Sequence, residues 1–294
     1  MDPILISSIV VLGGLGLLFG AGLAYASKKF AVHIDPRMEQ IIEILPGANC
    51  GACGKPGCQA YAEAVVKGES PPNMCSPGGS EVTEKIADIL GIEAKAEEPK
   101  VAVVQCQGGH KEAVEKFHYE GIQDCNAAQL IGGGLKACSY GCLGLGSCVK
   151  ACPFDAMYMN ENGLPVVIED KCTACNVCVT TCPRGIMALI PRSQNVYLGC
   201  VSQDKARAVK SVCKVGCFAC KICATPKVTP EGAIEMDGNL PKIKDIYSDD
   251  LYTAFDKCPS NSYVIRFEKE KTKEKKEEKE KSEEKVEKIE NSEN

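Results

Sequence analysis

The sequence predicts an α+β protein made of several small units. Bound metal, rather than one large hydrophobic core, is expected to hold each unit together. Three observations carry this prediction. The 294 residues include 20 cysteines and no tryptophan. Most of the cysteines stand in short runs, at the spacing of metal ligands. Apolar residues recur with helical periodicity around the first run, and short strand-like segments joined by turns surround the later ones.

One uncharged apolar segment precedes all of the cysteines. Residues 4–26 carry no charge, and a helix of that length spans about 34 Å, enough to cross a bilayer. The chain starts Met-Asp-Pro, without the basic region of a cleaved signal peptide, so a retained anchor is expected over residues 1–28. Because Lys28 and Lys29 follow the segment, we expect a single-pass protein of the cell (inner) membrane whose soluble part is cytoplasmic.

Charge and compartment limit the partners and the chemistry of the cysteines. The net charge is −5, which argues against the basic face of a nucleic-acid-binding protein. A reducing cytoplasm disfavours structural disulfides, so dense cysteines there indicate metal binding. Structural zinc is an alternative to iron–sulfur clusters, because four thiolates also suit Zn²⁺.

The first cysteine run predicts a small helical domain over residues 29–98. Asp35 and Pro36 open one predicted helix, Ser80 caps a second, and Gly91 ends it. A domain of this size needs a bound metal to stabilise its fold. The predicted ligands of this first [4Fe–4S] cluster are Cys50, Cys53, Cys58 and Cys75.

The next region, residues 99–194, contains a run that is typical of bacterial ferredoxins. Its cysteines are separated by two, two and three residues and end in a Cys-Pro pair. In such runs the first three thiolates bind one [4Fe–4S] cluster and the fourth reaches a second cluster. This spacing favours iron–sulfur over zinc. The cysteines of the run are Cys172, Cys175, Cys178 and Cys182.

The partner run lies just upstream and lacks one cysteine. Leu145 stands where the middle cysteine is expected, and Cys138 is the natural substitute. Segments 156–159 and 165–168 predict a hairpin between the two runs. Crossed ligation then predicts a second cluster on Cys138, Cys142, Cys148 and Cys182, and a third on Cys152, Cys172, Cys175 and Cys178.

A degenerate copy of this two-cluster unit follows in residues 195–267. It repeats the hairpin at 233–236 and 240–243, but Lys227 replaces one cysteine and the second triplet is missing. Both losses remove ligands of the same cluster. One cluster is therefore expected here, the fourth in the chain, on Cys217, Cys220, Cys223 and Cys258. Residues 268–294 are almost entirely Lys and Glu and predict a disordered tail.

Four cysteines have no place in these sets: Cys106, Cys125, Cys200 and Cys213. Cys125 and Cys200 each precede the next two cysteines at the same spacing, so the leftover positions belong to the repeat. Two interpretations stay open, namely inert buried thiols of an ancestral unit or a further cluster bound by some of them. A predicted strand at 101–105 leads into the region.

Motifs for other cofactors are missing from the sequence. No Gly-x-Gly-x-x-Gly follows a strand, and there is neither a Walker loop nor a Cys-x-x-Cys-His haem site. We therefore expect no flavin, NAD or haem on this chain and no catalytic side chains of its own. One-electron relay through the four predicted [4Fe–4S] clusters is the expected chemistry.

At this point the chain resembles a known family. The anchor, the NCGACG loop at 49–54, the GCLGLG segment at 141–146 and the ferredoxin runs are similar to the B subunit of the Rnf complex, its iron–sulfur electron-transfer component, over residues 1–267. The resemblance implies membership of a bacterial or archaeal ion-translocating ferredoxin:NAD⁺ oxidoreductase. In that family this component accepts electrons from reduced ferredoxin and passes them towards the membrane subunits and ultimately NAD⁺, coupled to Na⁺ or H⁺ transport.

Two other functions remain as alternatives at this stage. One is a membrane-tethered polyferredoxin relay for another anaerobic enzyme, such as a corrinoid-protein activator, because the first cysteine loop also resembles domains found there. The other is a zinc-stapled scaffold without a redox role. Iron and sulfide analysis separates these, since the four predicted clusters require about 16 Fe per chain.

Overall fold

The structure is a computed structural model that describes residues 3–30, 35–93, 98–230 and 232–267. Its mixture of short helices and antiparallel strands confirms the predicted α+β class. The tail predicted to be disordered, 268–294, lies outside the described residues.

The chain begins with one long apolar helix, α1, at Pro3–Lys29. Within it, Val10–Lys29 is long and apolar enough to cross a membrane. Its last turn carries the basic pair Lys28 and Lys29. The helix therefore has the length and composition that the sequence predicts for an anchor.

Three helices form the N-terminal cysteine domain. They are α2 at Pro36–Ile44, α3 at Cys58–Val66 and α4 at Gly79–Leu90. Their facing sides bury Ile41, Tyr61 and Ile86 almost completely. The domain core is this small cluster, so the cysteine loop between α2 and α3 closes the unit.

The predicted ends of these helices are largely confirmed. The Asp35 carboxylate accepts from the backbone N–H of Arg37 at 2.9 Å and caps α2, and Gly91 ends α4 in the left-handed conformation. The prediction that Ser80 caps α4 is wrong by two residues, because the helix begins at Gly79 after a 3-10 turn at Ser76–Gly78. The sequence signal was a polar residue near the start, whereas the backbone turn decides where the helix begins.

Four two-stranded antiparallel ribbons build the rest of the described chain. Two are the predicted hairpins: β2 at Met157–Met159 with β3 at Pro165–Val167, and β6 at Ile234–Asp237 with β7 at Leu240–Ile243. The other two pair strands that are distant in sequence: β1 at Lys100–Val104 with β4 at Met187–Pro191, and β5 at Val196–Leu198 with β8 at Tyr263–Ile265.

Short helices and turns carry the cysteines between these ribbons. The helices are α5 at Cys125–Leu130, α6 at Ser147–Lys150, α7 at Val177–Thr181, α8 at Ala206–Val212 and α9 at Asp250–Asp256. Two 3-10 turns lie at Glu169–Lys171 and Ile222–Ala224.

The two β-containing units repeat one plan. In each, a first strand pairs with a last strand, β1 with β4 and β5 with β8, around an internal hairpin. Cys106 and Cys200 both stand two residues after the end of the first strand. Cys200 is thus the structural equivalent of Cys106, although its sequence spacing matches that of Cys125.

Candidate metal centres

Four cysteines line each of three separate cavities of similar size. Their volumes are about 400, 370 and 340 Å³. In the same order, the cysteine sets are Cys106, Cys138, Cys200 and Cys213; Cys125, Cys142, Cys148 and Cys182; and Cys217, Cys220, Cys223 and Cys258. We call these cavities the junction cavity, cavity 2 and cavity 4.

Cavity 4 brings together the four cysteines that the sequence predicts for the degenerate unit. The 3-10 turn at Ile222–Ala224 carries Cys223, and Cys258 follows α9. Burial raises the pKa of the Cys217 thiol to about 12, and the neighbouring thiols of Cys200, Cys223 and Cys258 raise it as well. Cys220 is the exposed member of the set.

Cavity 2 contains three of the predicted cysteines, but Cys125 takes the fourth place instead of Cys138. Cys125 and Leu145 pack against one apolar cluster, so Cys125 fills the position that the leucine leaves without a thiol. Burial raises the pKa of Cys148 to about 11, and Cys125 is the first thiol that adds to this rise. The substitute for the missing ligand therefore comes from a leftover cysteine.

A short hydrogen-bond chain holds Cys125 in that place. Its backbone N–H donates to Ser147 Oγ at 2.7 Å, and Ser147 Oγ donates to Asp124 Oδ2, also at 2.7 Å. The Asp124 carboxylate also caps α5 by accepting from the N–H of Ala127 at 2.9 Å. These bonds tie α5 to α6, which carries Cys148. Sequence spacing within one run could not reveal this contact, although the gap at Leu145 was a signal that an outside thiol is needed.

Cys138 lies in the junction cavity, with three cysteines that the predicted sets leave out. The expected second set is thus divided by the structure, which separates Cys138 from Cys142, Cys148 and Cys182. The physical reason is the direction of the chain before the run, where Ala137 N donates to Val114 O at 2.8 Å and holds Cys138 beside another segment.

The predicted third set gathers around α7. Burial raises the pKa of Cys178 to about 12, and the next contributions come from the thiols of Cys172, Cys175, Cys148 and Cys152. Two of its sulfurs accept backbone hydrogen bonds, Cys172 Sγ from Ala102 N at 3.5 Å and Cys152 Sγ from Ala156 N at 3.4 Å. The proximity of these thiols agrees with the crossed ligation that the sequence predicts.

The predicted first set lies in the N-terminal domain. Burial raises the pKa of the Cys75 thiol, and the neighbouring thiols of Cys58, Cys50 and Cys53 raise it too. Asn49 Oδ1 accepts from Cys58 N at 2.8 Å, which closes the loop at the start of α3. The four cysteines are therefore held close to one another at the edge of the helical core.

Buried polar atoms without a partner test whether these sites fit an iron–sulfur cluster. Among the described residues, five side-chain atoms are buried without a hydrogen-bond partner: the acceptors Gln129 Oε1 and Asp250 Oδ2, and the donors Thr173 Oγ1, Arg184 Nε and Tyr263 Oη. Of these donors, Thr173 lies beside the Cys175 thiol and Tyr263 beside the Cys223 thiol. Thr173 follows Cys172 directly, Arg184 lines cavity 2, and Tyr263 lines cavity 4. A buried donor needs an acceptor, and the sulfur atoms of a bound cluster supply one at each site.

The spacing of the thiols distinguishes a cluster from a single ion. Zinc binds sulfur at about 2.3 Å, which brings its ligands within about 4 Å of one another. Three of the cysteine sets instead surround cavities of about 340–400 Å³, which leave room for a multi-iron cluster between the thiols.

Two family models match the chain at these sites. Residues 45–77 match a family described as "Putative Fe-S cluster", and residues 137–187 match the 4Fe-4S dicluster domain. The first match spans the N-terminal cysteine loop, and the second spans both runs of the two-cluster region.

Three similar proteins cover most of the chain. The B subunit of a Na⁺-translocating ferredoxin:NAD⁺ oxidoreductase complex from Acetobacterium woodii is 42% identical over 85% of this chain and 75% of its own length. The B subunit of an ion-translocating oxidoreductase complex from Methanosarcina acetivorans is 42% identical over 83% and 91%. The B subunit of a proton-translocating ferredoxin:NAD⁺ oxidoreductase complex from Clostridium ljungdahlii is 46% identical over 71% and 74%.

Proposed function

The chain belongs to the family of B subunits of ion-translocating, Rnf-type oxidoreductase complexes, and from this premise we propose how it carries electrons within such a complex. It is an electron-transfer subunit of the complex and binds [4Fe–4S] clusters. This membership decides against the corrinoid-enzyme relay and the zinc scaffold. The observation that carries the proposal is the set of separate four-cysteine sites, whose thiols are all buried or half-buried except that of Cys220.

Four ligand sets follow from the sequence, with one exchange that cavity 2 supports. They are site 1 with Cys50, Cys53, Cys58 and Cys75; site 2 with Cys125, Cys142, Cys148 and Cys182; site 3 with Cys152, Cys172, Cys175 and Cys178; and site 4 with Cys217, Cys220, Cys223 and Cys258. When bound, the clusters supply one-electron transfer between states of low potential. The protein binds them, limits their contact with water and donates hydrogen bonds to sulfur.

The order of the sites supports a path through the described chain. Cys75 of site 1 and Cys172 of site 3 line one cavity, so these two sites are neighbours. Cys148 of site 2 packs against the apolar cluster that contains Cys178 of site 3, so site 2 adjoins site 3 as well. Sites 1, 3 and 2 thus follow one another in space, and one-electron steps between neighbours need no mobile carrier.

We propose reduced ferredoxin as the electron donor and the membrane subunits, and ultimately NAD⁺, as the acceptors. The names of two relatives, the B subunits from Acetobacterium woodii and Clostridium ljungdahlii, specify ferredoxin and NAD⁺ and support this. Those names also differ in the coupled ion, Na⁺ in one and protons in the other. The only charges of α1 are the lysines in its last turn, so the ion path is assigned to other subunits.

We also propose that α1 anchors the chain and that the soluble part faces the cytoplasm. Support comes from the length and apolar character of Val10–Lys29 and from the basic pair at its end, since positive residues stay on the cytoplasmic side. Removal of residues 1–30 is expected to release the chain from the membrane fraction while its iron content stays the same.

Anaerobic reduction of the purified full-length chain tests the proposed function. An excess of reduced ferredoxin, which supplies at least one electron per cluster and is itself oxidised, is expected to bleach the iron–sulfur absorbance and to produce the EPR signals of reduced [4Fe–4S] clusters. The chain is also expected to co-purify with integral membrane partners. Stoichiometric zinc with little iron, or iron–sulfur centres that ferredoxin does not reduce, would contradict the proposal.

A further inference from the structure

We propose that Cys106, Cys138, Cys200 and Cys213 bind a fifth [4Fe–4S] cluster in the junction cavity, where it connects site 2 with site 4. This inference rests on the proposed electron-transfer function and extends it. With this site, all 20 cysteines of the chain fall into five sets of four.

The four thiols converge from four different segments. Cys106 follows β1, Cys200 follows β5, Cys213 directly follows α8, and Cys138 stands four residues before Cys142. The junction cavity that they line measures about 400 Å³, against 370 and 340 Å³ for cavities 2 and 4. The junction cavity therefore matches cavities 2 and 4 in donor set and approximate size, and it fits the group proposed for them.

One glycine keeps space free beside two of these sulfurs. A side-chain carbon at Gly108 would lie 3.2 Å from Cys213 Sγ and 3.8 Å from Cys106 Sγ, so both sulfurs flank this residue. Close approach of backbone to a ligand is a common reason for glycine.

One backbone segment holds two of the ligands together across the unit boundary. Val114 N donates to Val212 O at 2.9 Å, and Val114 O accepts from Ala137 N at 2.8 Å. Val212 and Ala137 are the residues immediately before Cys213 and Cys138. Each of the two β-containing units therefore contributes two cysteines, one after its first strand and one from this bridged pair.

A buried cation lies next to the junction cavity. Lys136 is 0% exposed, and its Nζ donates to Gly108 O at 2.8 Å. In the part of the chain that the structure describes, no carboxylate forms an ion pair with it. A buried ammonium requires a compensating negative charge, and a cluster held by four thiolates is anionic.

The site has a direct contact with each neighbour. Cys142, a ligand of site 2, donates its backbone N–H to Cys106 Sγ at 3.4 Å. On the other side, Cys200 packs against the apolar cluster that contains Cys217, a ligand of site 4. An electron that enters from one neighbouring site leaves to the other, so the step needs no proton acceptor and no further oxidant or reductant.

Inert thiols explain these observations less well. Four unpaired cysteines around one cavity, a fully buried lysine and a glycine beside two of the sulfurs have no common reason in a metal-free core. A bound cluster satisfies all of these groups at once.

Iron and acid-labile sulfide analysis of the anaerobically purified full-length chain tests the inference. We expect about 20 Fe per wild-type chain from five clusters, and about 16 Fe in the double variant Cys200→Ala/Cys213→Ala, which removes two ligands. The matched control is Ser202→Ala, because Ser202 lines the same cavity without supplying a thiol, and it is expected to retain about 20 Fe.

The outcomes separate this inference from the proposed function. About 16 Fe in both the wild type and the double variant would overturn the fifth site and leave the electron-transfer function intact. Far less iron in the wild type, with zinc present, would overturn both. If the double variant does not fold, the wild-type count together with spin integration of the fully reduced chain decides between four and five clusters.

Discussion

Arg266 and Glu169 form an ion pair that joins the two β-containing units across 97 positions of the sequence. Arg266 Nε donates to Glu169 Oε1 at 2.8 Å, and its guanidinium also donates to the Gln194 carbonyl at 2.7 Å. The Arg266 side chain is 3% exposed. Glu169 lies in the turn before Cys172, so the last described strand is connected to the loop of site 3.

Replacing Arg266 should destabilise the chain considerably. Arg266→Ala leaves the Glu169 carboxylate and several carbonyls without their donor, and breaking such a buried pair costs on the order of 3 kcal/mol. The midpoint of anaerobic guanidinium denaturation, followed by circular dichroism, measures this. Lys244→Ala is the control, because Lys244 and Glu235 are both more than half exposed, and its effect should stay below about 1 kcal/mol. Equal shifts in the two variants would contradict the structural role of Arg266.

An exchange of one thiol position tests the ligands of site 2. Cys125→Ala should lose iron, because it removes one of four ligands. Adding Leu145→Cys to that variant restores a thiol at the position of the ordinary ferredoxin run, and iron should return towards the wild-type value. Iron analysis and EPR of the reduced chain measure both effects.

Leu145→Cys alone is the control for this exchange and should leave the iron content unchanged. Cys138→Ala should change the EPR signals of a different centre from Cys125→Ala, since the two cysteines line different cavities. Identical spectra of the two single variants would show that both cysteines serve one site.

The buried hydroxyl of Tyr263 should raise the reduction potential of site 4. Burial raises the pKa of this hydroxyl, and the neighbouring Cys223 thiol raises it further, so it stays protonated as a donor. A donor stabilises the more negative, reduced state. Tyr263→Phe should therefore lower the potential by about 40 mV, the equivalent of about 1 kcal/mol for one hydrogen bond in a one-electron couple.

An EPR-monitored redox titration measures this shift, and iron analysis checks that the cluster is retained. Tyr158→Phe serves as the control, because Tyr158 is half exposed on β2 and lines none of the cysteine cavities described above. A potential that stays the same in Tyr263→Phe would rule out the hydrogen bond to sulfur.

Loss of the first cluster should unfold the N-terminal helices without affecting the rest. The core of α2, α3 and α4 is small, so its stability depends on the first cluster. The double variant Cys50→Ala/Cys53→Ala removes two ligands of that cluster. Hydrogen exchange of the full chain should show loss of protection in 35–93 alone. Gln59→Ala, at an exposed position of α3, should keep full protection. Unchanged exchange in the cysteine variant would mean that the apolar core suffices.

The sequence by itself determined the features that depend on residues close together in the chain: the cysteine runs, the two hairpins and the apolar helix. The run from Cys172 to Cys178 places three thiols on one loop, and the turns at Gly163 and Gly238 set the two hairpins. The length of the uncharged apolar segment alone identifies α1 as a candidate membrane anchor. These features are local, since a few backbone angles decide where such side chains lie relative to one another.

Only the tertiary structure decided which isolated cysteines meet. Cys125 and Cys138 both precede Cys142 closely in sequence, yet α5 turns one towards cavity 2, and the Val114 segment holds the other at the junction cavity. Cys106 and Cys200 come together because two units pack against each other. Contacts between distant segments depend on the packing of whole units, which the spacing within one motif does not encode.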